Sequence, residues 1–299
     1  MNTLVVIDFS VACHQLHANL VQNGVERTHY MGVVKAQMSW LLSLEWMGIH
    51  KPDPASTNIV LAMDTKVAGR YWRHDYLEQP AIFEKVWAMN KTARTKKAAE
   101  PIFYKAGRRF PEKSFTKLKK DMEAITVSQG WQLLKVAGYE ADDIAAALVA
   151  SNRSLPVEQQ VKIWTITIDS DWLGLVGDDC SWFCMFGWSP RVRADLRTIN
   201  SWSARRLNKT FAEPKELWAY KSEYGDKSDN LPKNSPIEVI DLLNPPDEHK
   251  LWNKPQLAGI FRKLLTEHQK TQLPEISKAT EYLRLLGVPK FVKPYHDNI

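Results

Sequence analysis

Short apolar runs rich in β-branched residues recur along this chain, and three of them stop on an aspartate. Leu4-Val5-Val6-Ile7 runs into Asp8, and Asn58-Ile59-Val60-Leu61-Ala62-Met63 runs into Asp64. Val161-Lys162-Ile163-Trp164-Thr165-Ile166-Thr167-Ile168 runs into Asp169-Ser170-Asp171. Near-continuous apolar strands of this length are what a parallel sheet covered on both faces requires. Parallel strands need helical crossovers. Val34, Met38, Leu41, Leu42 and Met47 recur at helical spacing over residues 32–47, and residues 112–129 also read as helix. Trp131–Val136 adds a strand, and residues 181–187 read as another, nearer the sheet edge. The fold class is therefore α/β with a parallel sheet. Ligand sites in such sheets lie beyond the carboxyl ends of the strands, where these acids fall. One strand-end aspartate can serve a turn or a cap; three ask for a common reason.

A denser group of acids opens the next apolar helix: Gly138-Tyr139-Glu140-Ala141-Asp142-Asp143, followed by Ile144-Ala145-Ala146-Ala147-Leu148-Val149. A helix N-terminus welcomes one negative charge, but not three. Helical spacing would put Glu140 and Asp143 on one face with Asp142 beside them. Such carboxylates keep their protons unless a cation lies between them, and a hard cation such as Mg²⁺ suits oxygen donors. At strand periodicity Asp169 and Asp171 point the same way, so both could reach one ion. Asp226 and Asp229, in Gly225-Asp226-Lys227-Ser228-Asp229-Asn230-Leu231-Pro232, repeat the i,i+3 spacing, although an Asx turn would use either one. If the strands are parallel and adjacent, all these acids meet at one sheet edge. Two divalent ions about 3.5–4 Å apart could hold them, activate a water and displace a phosphodiester in line. There is no GxxxxGK phosphate loop, no serine or cysteine with an evident catalytic partner, and no histidine spacing that suits zinc.

Charge distribution points the same way. The net charge is +6 with pI near 9.0, and lysines and arginines dominate residues 91–120, where Lys91 and Arg94 are i,i+3. Basic surface beside a carboxylate centre suits a phosphate backbone. No eighteen-residue apolar run is present, so no membrane span is expected. The first residues read as a strand and not as a signal peptide. Three dispersed cysteines, Cys13, Cys180 and Cys184, suit a reducing, intracellular setting, the last two as small buried hydrophobes.

Taken in order, these motifs resemble the flap endonuclease / 5′→3′ exonuclease family, and most of all the stand-alone exonucleases of bacteriophage replication. The resemblance is carried by Asp8, Ala62-Met63-Asp64, Trp72-Arg73, Asn90-Lys91-Thr92-Ala93-Arg94, Tyr139-Glu140-Ala141-Asp142-Asp143, Asp169-Ser170-Asp171 and the 225–232 segment. It implies a PIN-like nuclease core over residues 1–195, with a basic helical arch or gateway inserted at about 67–120. A mostly helical region over 196–299 would grip duplex DNA. It further implies that Asp8, Asp64, Glu140 and Asp142, with Asp143 close by, serve one Mg²⁺. Asp169, Asp171, Asp226 and Asp229 would serve a second, Mn²⁺ substituting for either. Lys91 and Arg94 would contact the scissile phosphate, and Arg73 would help steer the 5′ strand. The implied activity is hydrolysis of DNA, and of RNA primers in RNA–DNA hybrids, from a 5′ end or flap, leaving 5′-phosphates. The implied setting is a cytoplasmic monomer working beside replication proteins. A PIN-type ribonuclease, or a non-catalytic DNA-binding protein with a decayed site, would share parts of the pattern. One departure from the family is visible: Lys233-Asn234-Ser235-Pro236-Ile237-Glu238-Val239 stands where a Gly-x-Gly-x-Lys hairpin would hold duplex phosphate.

Overall fold

The computed structural model describes residues 2–22, 30–43, 57–78, 104–105, 112–186, 189–194, 196–226, 228–229, 231, 233–234 and 241–267. In chain order they form β1 (Thr3–Asp8), α1 (Phe9–Gln22), α2 (Tyr30–Leu42), β2 (Thr57–Met63), α3 (Trp72–Glu78) and α4 (Lys113–Ser128). There follow β3 (Gln132–Lys135), α5 (Ala141–Arg153), β4 (Lys162–Thr167), β5 (Cys180–Phe186), β6 (Ser189–Ala194), α6 (Leu196–Leu207), α7 (Glu216–Tyr224) and α8 (Pro255–Thr266). The strands make one sheet in the order β3-β2-β1-β4-β5-β6. The first five in that order are parallel, and β6 is antiparallel to β5.

Strand alternation divides the core in two. Leu4, Val6, Val60, Ala62, Ile163 and Trp182 face α5 and the C-terminal helices, while Val5, Ile7, Ile59, Leu61, Ile166 and Phe183 face α1, α2 and α4. Both faces are thus covered, which is why these strands read as continuous apolar runs. Helix α5 is buried almost all round, from Ala141 to Val149. Its small alanines let the sheet and the C-terminal elements approach closely, and each buried Ile, Leu or Val contributes about 1.5–3 kcal/mol. Phe261, Leu264 and Leu265 of α8 join the same core, and Asn58 Nδ2 donates to the Leu264 carbonyl at 3.1 Å. Trp218 of α7 lies so close to Gly174 that a Cβ there would come within 2.2 Å of the indole.

Several expectations need correcting. Helix α1 starts directly after Asp8, where no helix is expected, because His14, Gln15 and His17 interrupt its apolar stripe. The short helix α3 occupies a stretch whose aromatic and basic mixture gives no periodicity. The sheet is not wholly parallel: β6 adds an antiparallel edge, disguised by Ser189-Pro190-Arg191, since proline is tolerated only at such an edge. Strand β4 ends at Thr167, and Asp169 begins a 3₁₀ helix over Ser170–Leu175, so strand alternation does not orient Asp169 and Asp171. The helix expected over 32–47 is observed over Tyr30–Leu42; its remainder lies outside the described residues. All three cysteines are free. Among the described residues no helix is long and apolar enough to cross a membrane.

Candidate functional site

Parallel pairing of β1 with β2 and β4 brings the ends that carry Asp8, Asp64 and Asp169 side by side. Asp8 accepts from the Val11 amide at 3.0 Å and from the Thr167 hydroxyl at 2.9 Å, which ties β1 to the end of β4. Asp64 accepts from the Ala141 amide at 2.7 Å, at the start of α5, where free N–H groups stabilise an anion. Its other oxygen accepts from Ser10 at 3.0 Å, and the Lys119 ammonium donates to the same hydroxyl at 3.0 Å. Asp142 accepts from the Trp172 indole at 2.7 Å, and Asp169 accepts from the Asp171 amide at 3.0 Å.

These acids feel one another's charge. Burial, then the nearby Asp64 and Asp169 charges, push the Asp8 carboxyl up to about 7. Burial with Asp169 and Asp64 holds Asp142 well above the usual carboxylate range. Burial pushes Asp171 up to about 6, with Asp169 and Asp229 adding to the rise and Lys221 opposing it. Charge is thus concentrated where β1, β2, β4 and the start of α5 meet.

Positive groups enter this region from two sides. Lys221 of α7 pairs with Asp171 and, at 2.9 Å, with Asp226. Burial works against ionisation of Asp226, but Lys221 and Ser228 outweigh it and hold its carboxyl below the ordinary value. Lys105 pairs with Glu140, and Tyr104 donates to Glu140 at 2.8 Å and to Asp229 at 3.2 Å. Lys105 has φ of 58°, a conformation that costs a non-glycine residue about 1–2 kcal/mol, and its amide donates to the Asp229 carbonyl at 2.7 Å. Strain of this kind persists only where surrounding contacts enforce it. Glu140 is not a helical neighbour of Asp143 but the residue capping α5. Its amide donates to Asp143 at 2.9 Å, and Trp72 and Arg73 take the other Asp143 contacts, at 3.2 and 2.8 Å.

The nine expected acids therefore fall into linked sets. Asp8, Asp64, Asp142, Asp169 and Asp171 cluster at the strand ends, Asp171 leads through Lys221 to Asp226, and Glu140, Asp143 and Asp229 gather round Arg73, Tyr104 and Lys105. Arg73 is buried, with its guanidinium spent on Glu140 and Asp143. Lys91 and Arg94 lie outside the described residues. Lys105, Lys221, Tyr104 and Ser10 are the participants that sequence reasoning does not single out. Lys221 had one local sign, its place five residues before Asp226.

As donors these residues suit a hard divalent ion: they are oxygen ligands only, and burial together with neighbouring carboxylates raises Asp8, Asp142 and Asp171. Among the described residues no three of the acids, histidines and cysteines surround an ion-sized point.

Fold and site together define an α/β protein with a buried carboxylate cluster at the carboxyl ends of a parallel sheet. Residues 75–200, fewer than half of the chain, match the family described as 5′-3′ exonuclease, N-terminal resolvase-like domain. Solved structures with similarity to this chain include the bacteriophage T5 D15 flap endonuclease in a pseudo-enzyme-product complex with DNA and metal ions. That match has 16% identity and a TM-score of 0.46, over 96% of this chain and 94% of the other. T5 D15 protein co-crystallized with metal ions gives 17%, 0.46, and 97% of both chains. T5 5′-exonuclease with zinc bound gives 17%, 0.47, 96% and 90%. No match was found among curated proteins.

Proposed function

We propose that this protein is a divalent-metal-dependent 5′-3′ exonuclease and flap endonuclease with a PIN-like core. The observation that carries this reading is the gathering of Asp8, Asp64, Asp142, Asp169 and Asp171 at one rim of the sheet, where burial first and neighbouring carboxylates second raise Asp8, Asp142 and Asp171. Burying acids that repel one another is costly, and it is retained where a cation is to be held. The family match over residues 75–200 supports the same assignment.

Asp8, Asp64, Asp142 and Glu140, with Asp143 behind them, would hold one Mg²⁺ ion, and Asp169, Asp171, Asp226 and Asp229 a second. When bound, such a pair supplies a hydroxide nucleophile and stabilises the leaving oxygen. The chain's own part is to set the donors. Thr167 and the Val11 amide fix Asp8, the Ala141 amide and Ser10 fix Asp64, and Trp172 fixes Asp142. Arg73 and Trp72 hold Asp143 behind Glu140, so Arg73 would act on the strand only through that pair. Lys105 and Lys221 carry positive charge that substrate phosphates would also meet.

Residues of about 67–120 would form the arch over the site, carrying Lys91 and Arg94 to the scissile phosphate. Residues 196–299 would grip the duplex without a Gly-x-Gly-x-Lys hairpin. Substrates would be DNA with a 5′ end or flap and RNA–DNA hybrids, met by a cytoplasmic monomer alongside replication proteins. The test is cleavage of a 5′-labelled flap, an RNA–DNA hybrid and single-stranded RNA, each with Mg²⁺ and with EDTA. Mg²⁺-dependent release of 5′-phosphorylated products from the flap is expected. Cleavage of the RNA alone, or of nothing, would overturn the reading.

A further inference from the structure

Helix α7 carries a second feature beside the carboxylates. Tyr220 and Tyr224, one turn apart, stack with ring centroids 4.5 Å apart and planes 27° from parallel. Phe211, itself buried, meets Tyr220 edge-on at 5.7 Å. The Lys209 ammonium lies 4.8 Å from the Tyr220 centroid and 5.8 Å from those of Phe211 and Tyr224. The stack is anchored at its inner end and open at its outer one, where Tyr224 is 47% exposed. Arg206, exposed like Lys209, precedes it at the end of α6.

Placement relative to the site follows from helix geometry. At about 100° per residue, Tyr220 and Tyr224 lie on the same side of Lys221, about 100° and 60° away. Lys221 pairs with Asp171 and Asp226, so the stack flanks the rim where those acids sit. The neighbouring acids are already engaged. Glu213 pairs with Lys215 at 2.9 Å, Glu216 accepts from the Ala212 amide at 3.1 Å, and Glu223 takes the Tyr224 hydroxyl. Holding Tyr224 by its hydroxyl fixes the ring and leaves the face turned away from Tyr220 for other contacts.

We propose that the Tyr220–Tyr224 stack is a platform for the bases of an unpaired stretch of nucleic acid, with Lys209 and Arg206 meeting its phosphates. Aromatic rings accept any base by its π face, and cations alongside follow the backbone. The choice of ligand rests on the nuclease reading above; the surface itself does not.

The test uses the full chain in EDTA, so that nothing is cleaved, and a short oligothymidylate carrying 2-aminopurine. Binding should quench the 2-aminopurine by stacking. Tyr224→Leu should weaken binding about 5- to 150-fold, the range for loss of one base–aromatic stack, and abolish the quench. Tyr224→Phe and Tyr224→Trp, which keep a ring, should retain both, and thermal melting would show whether each variant is folded. If Tyr224→Leu does not fold, Lys209→Gln serves instead, with the slope of log affinity against log salt expected to fall by about 1. Unchanged affinity and quench in Tyr224→Leu, an unchanged salt slope in Lys209→Gln, or no binding by the parent would each overturn the proposal. A parent that binds and quenches but cleaves no flap with Mg²⁺ would sink the nuclease reading alone. One that cleaves but shows no ring dependence would sink the platform alone.

Discussion

Lys221→Met removes a charge while nearly preserving volume, and its cost can be worked from the contacts. The ammonium pairs with Asp171 and Asp226, and the three side chains are only 11–13% exposed. Deleting one member of a buried ion pair costs about 3–5 kcal/mol; slight solvent access puts this case near the lower figure. The cost should depend on pH. Even with Lys221 present, the Asp171 carboxyl is pushed from an ordinary 3.8 up to about 6, and without the lysine it rises further. A folded-state value above the unfolded one means that the folded protein holds the extra proton. Its contribution is complete at low pH and is lost as pH rises through the folded value. In the ion-free variant the deficit should therefore be about 3 kcal/mol near pH 8 and clearly smaller near pH 5, where Asp171 discards its charge. Urea unfolding in EDTA at both pH values, parent against variant, measures it. A deficit below about 1 kcal/mol near pH 8, or a larger one near pH 5, would refute the reasoning.

Gly174→Ala would drive a Cβ into the Trp218 indole, 2.2 Å from its nearest atom, and should cost about 3 kcal/mol or more in urea unfolding, at the upper end of overpacking penalties. Trp172→Phe removes the indole donor 2.7 Å from Asp142; a loss of about 1–3 kcal/mol is expected in EDTA, and Mg²⁺ should recover part of it in the same melt. Asp64→Ala and Asp169→Ala should abolish flap cleavage while leaving DNA affinity by anisotropy largely intact, and Asp169→Ala should remove one ion from a calorimetric Mn²⁺ titration. Lys91→Ala should slow single-turnover cleavage with that titration unchanged.

Asp8, Asp64 and Asp169 were legible because the signal is local: an apolar run and the acid that ends it occupy a few consecutive residues. The order of strands makes them neighbours, and right-handed parallel crossovers leave few other arrangements. What was not legible depends on partners far away in the chain. Lys105 and Lys221 looked like any solvent-facing lysine until folding set each against acids at distant positions. Asp143 carried the right residue type at a suggestive spacing, yet Trp72 and Arg73, some seventy residues earlier, decide what it touches. Helix α1 leaves no clear periodic signal because its buried stripe of Phe9, Ala12, Cys13 and Leu16 is interleaved with histidines and a glutamine. Strand β6 lacks an apolar run because one edge of the sheet has only one neighbour to satisfy.

Strand β1 lies mid-sheet, with β2 on one side and β4 on the other. Asp8, Asp64, Asp169 and Asp171 end a strand or follow its carboxyl end, and Glu140, Asp142 and Asp143 open the helix after β3. The opposite rim carries none of these. The turn at Val157–Gln159, between α5 and β4, lies on that rim, with Val157 81% exposed. It is the natural place to splice in a fluorescent reporter or a second polypeptide, since a graft there would ride a full strand length from the chemistry.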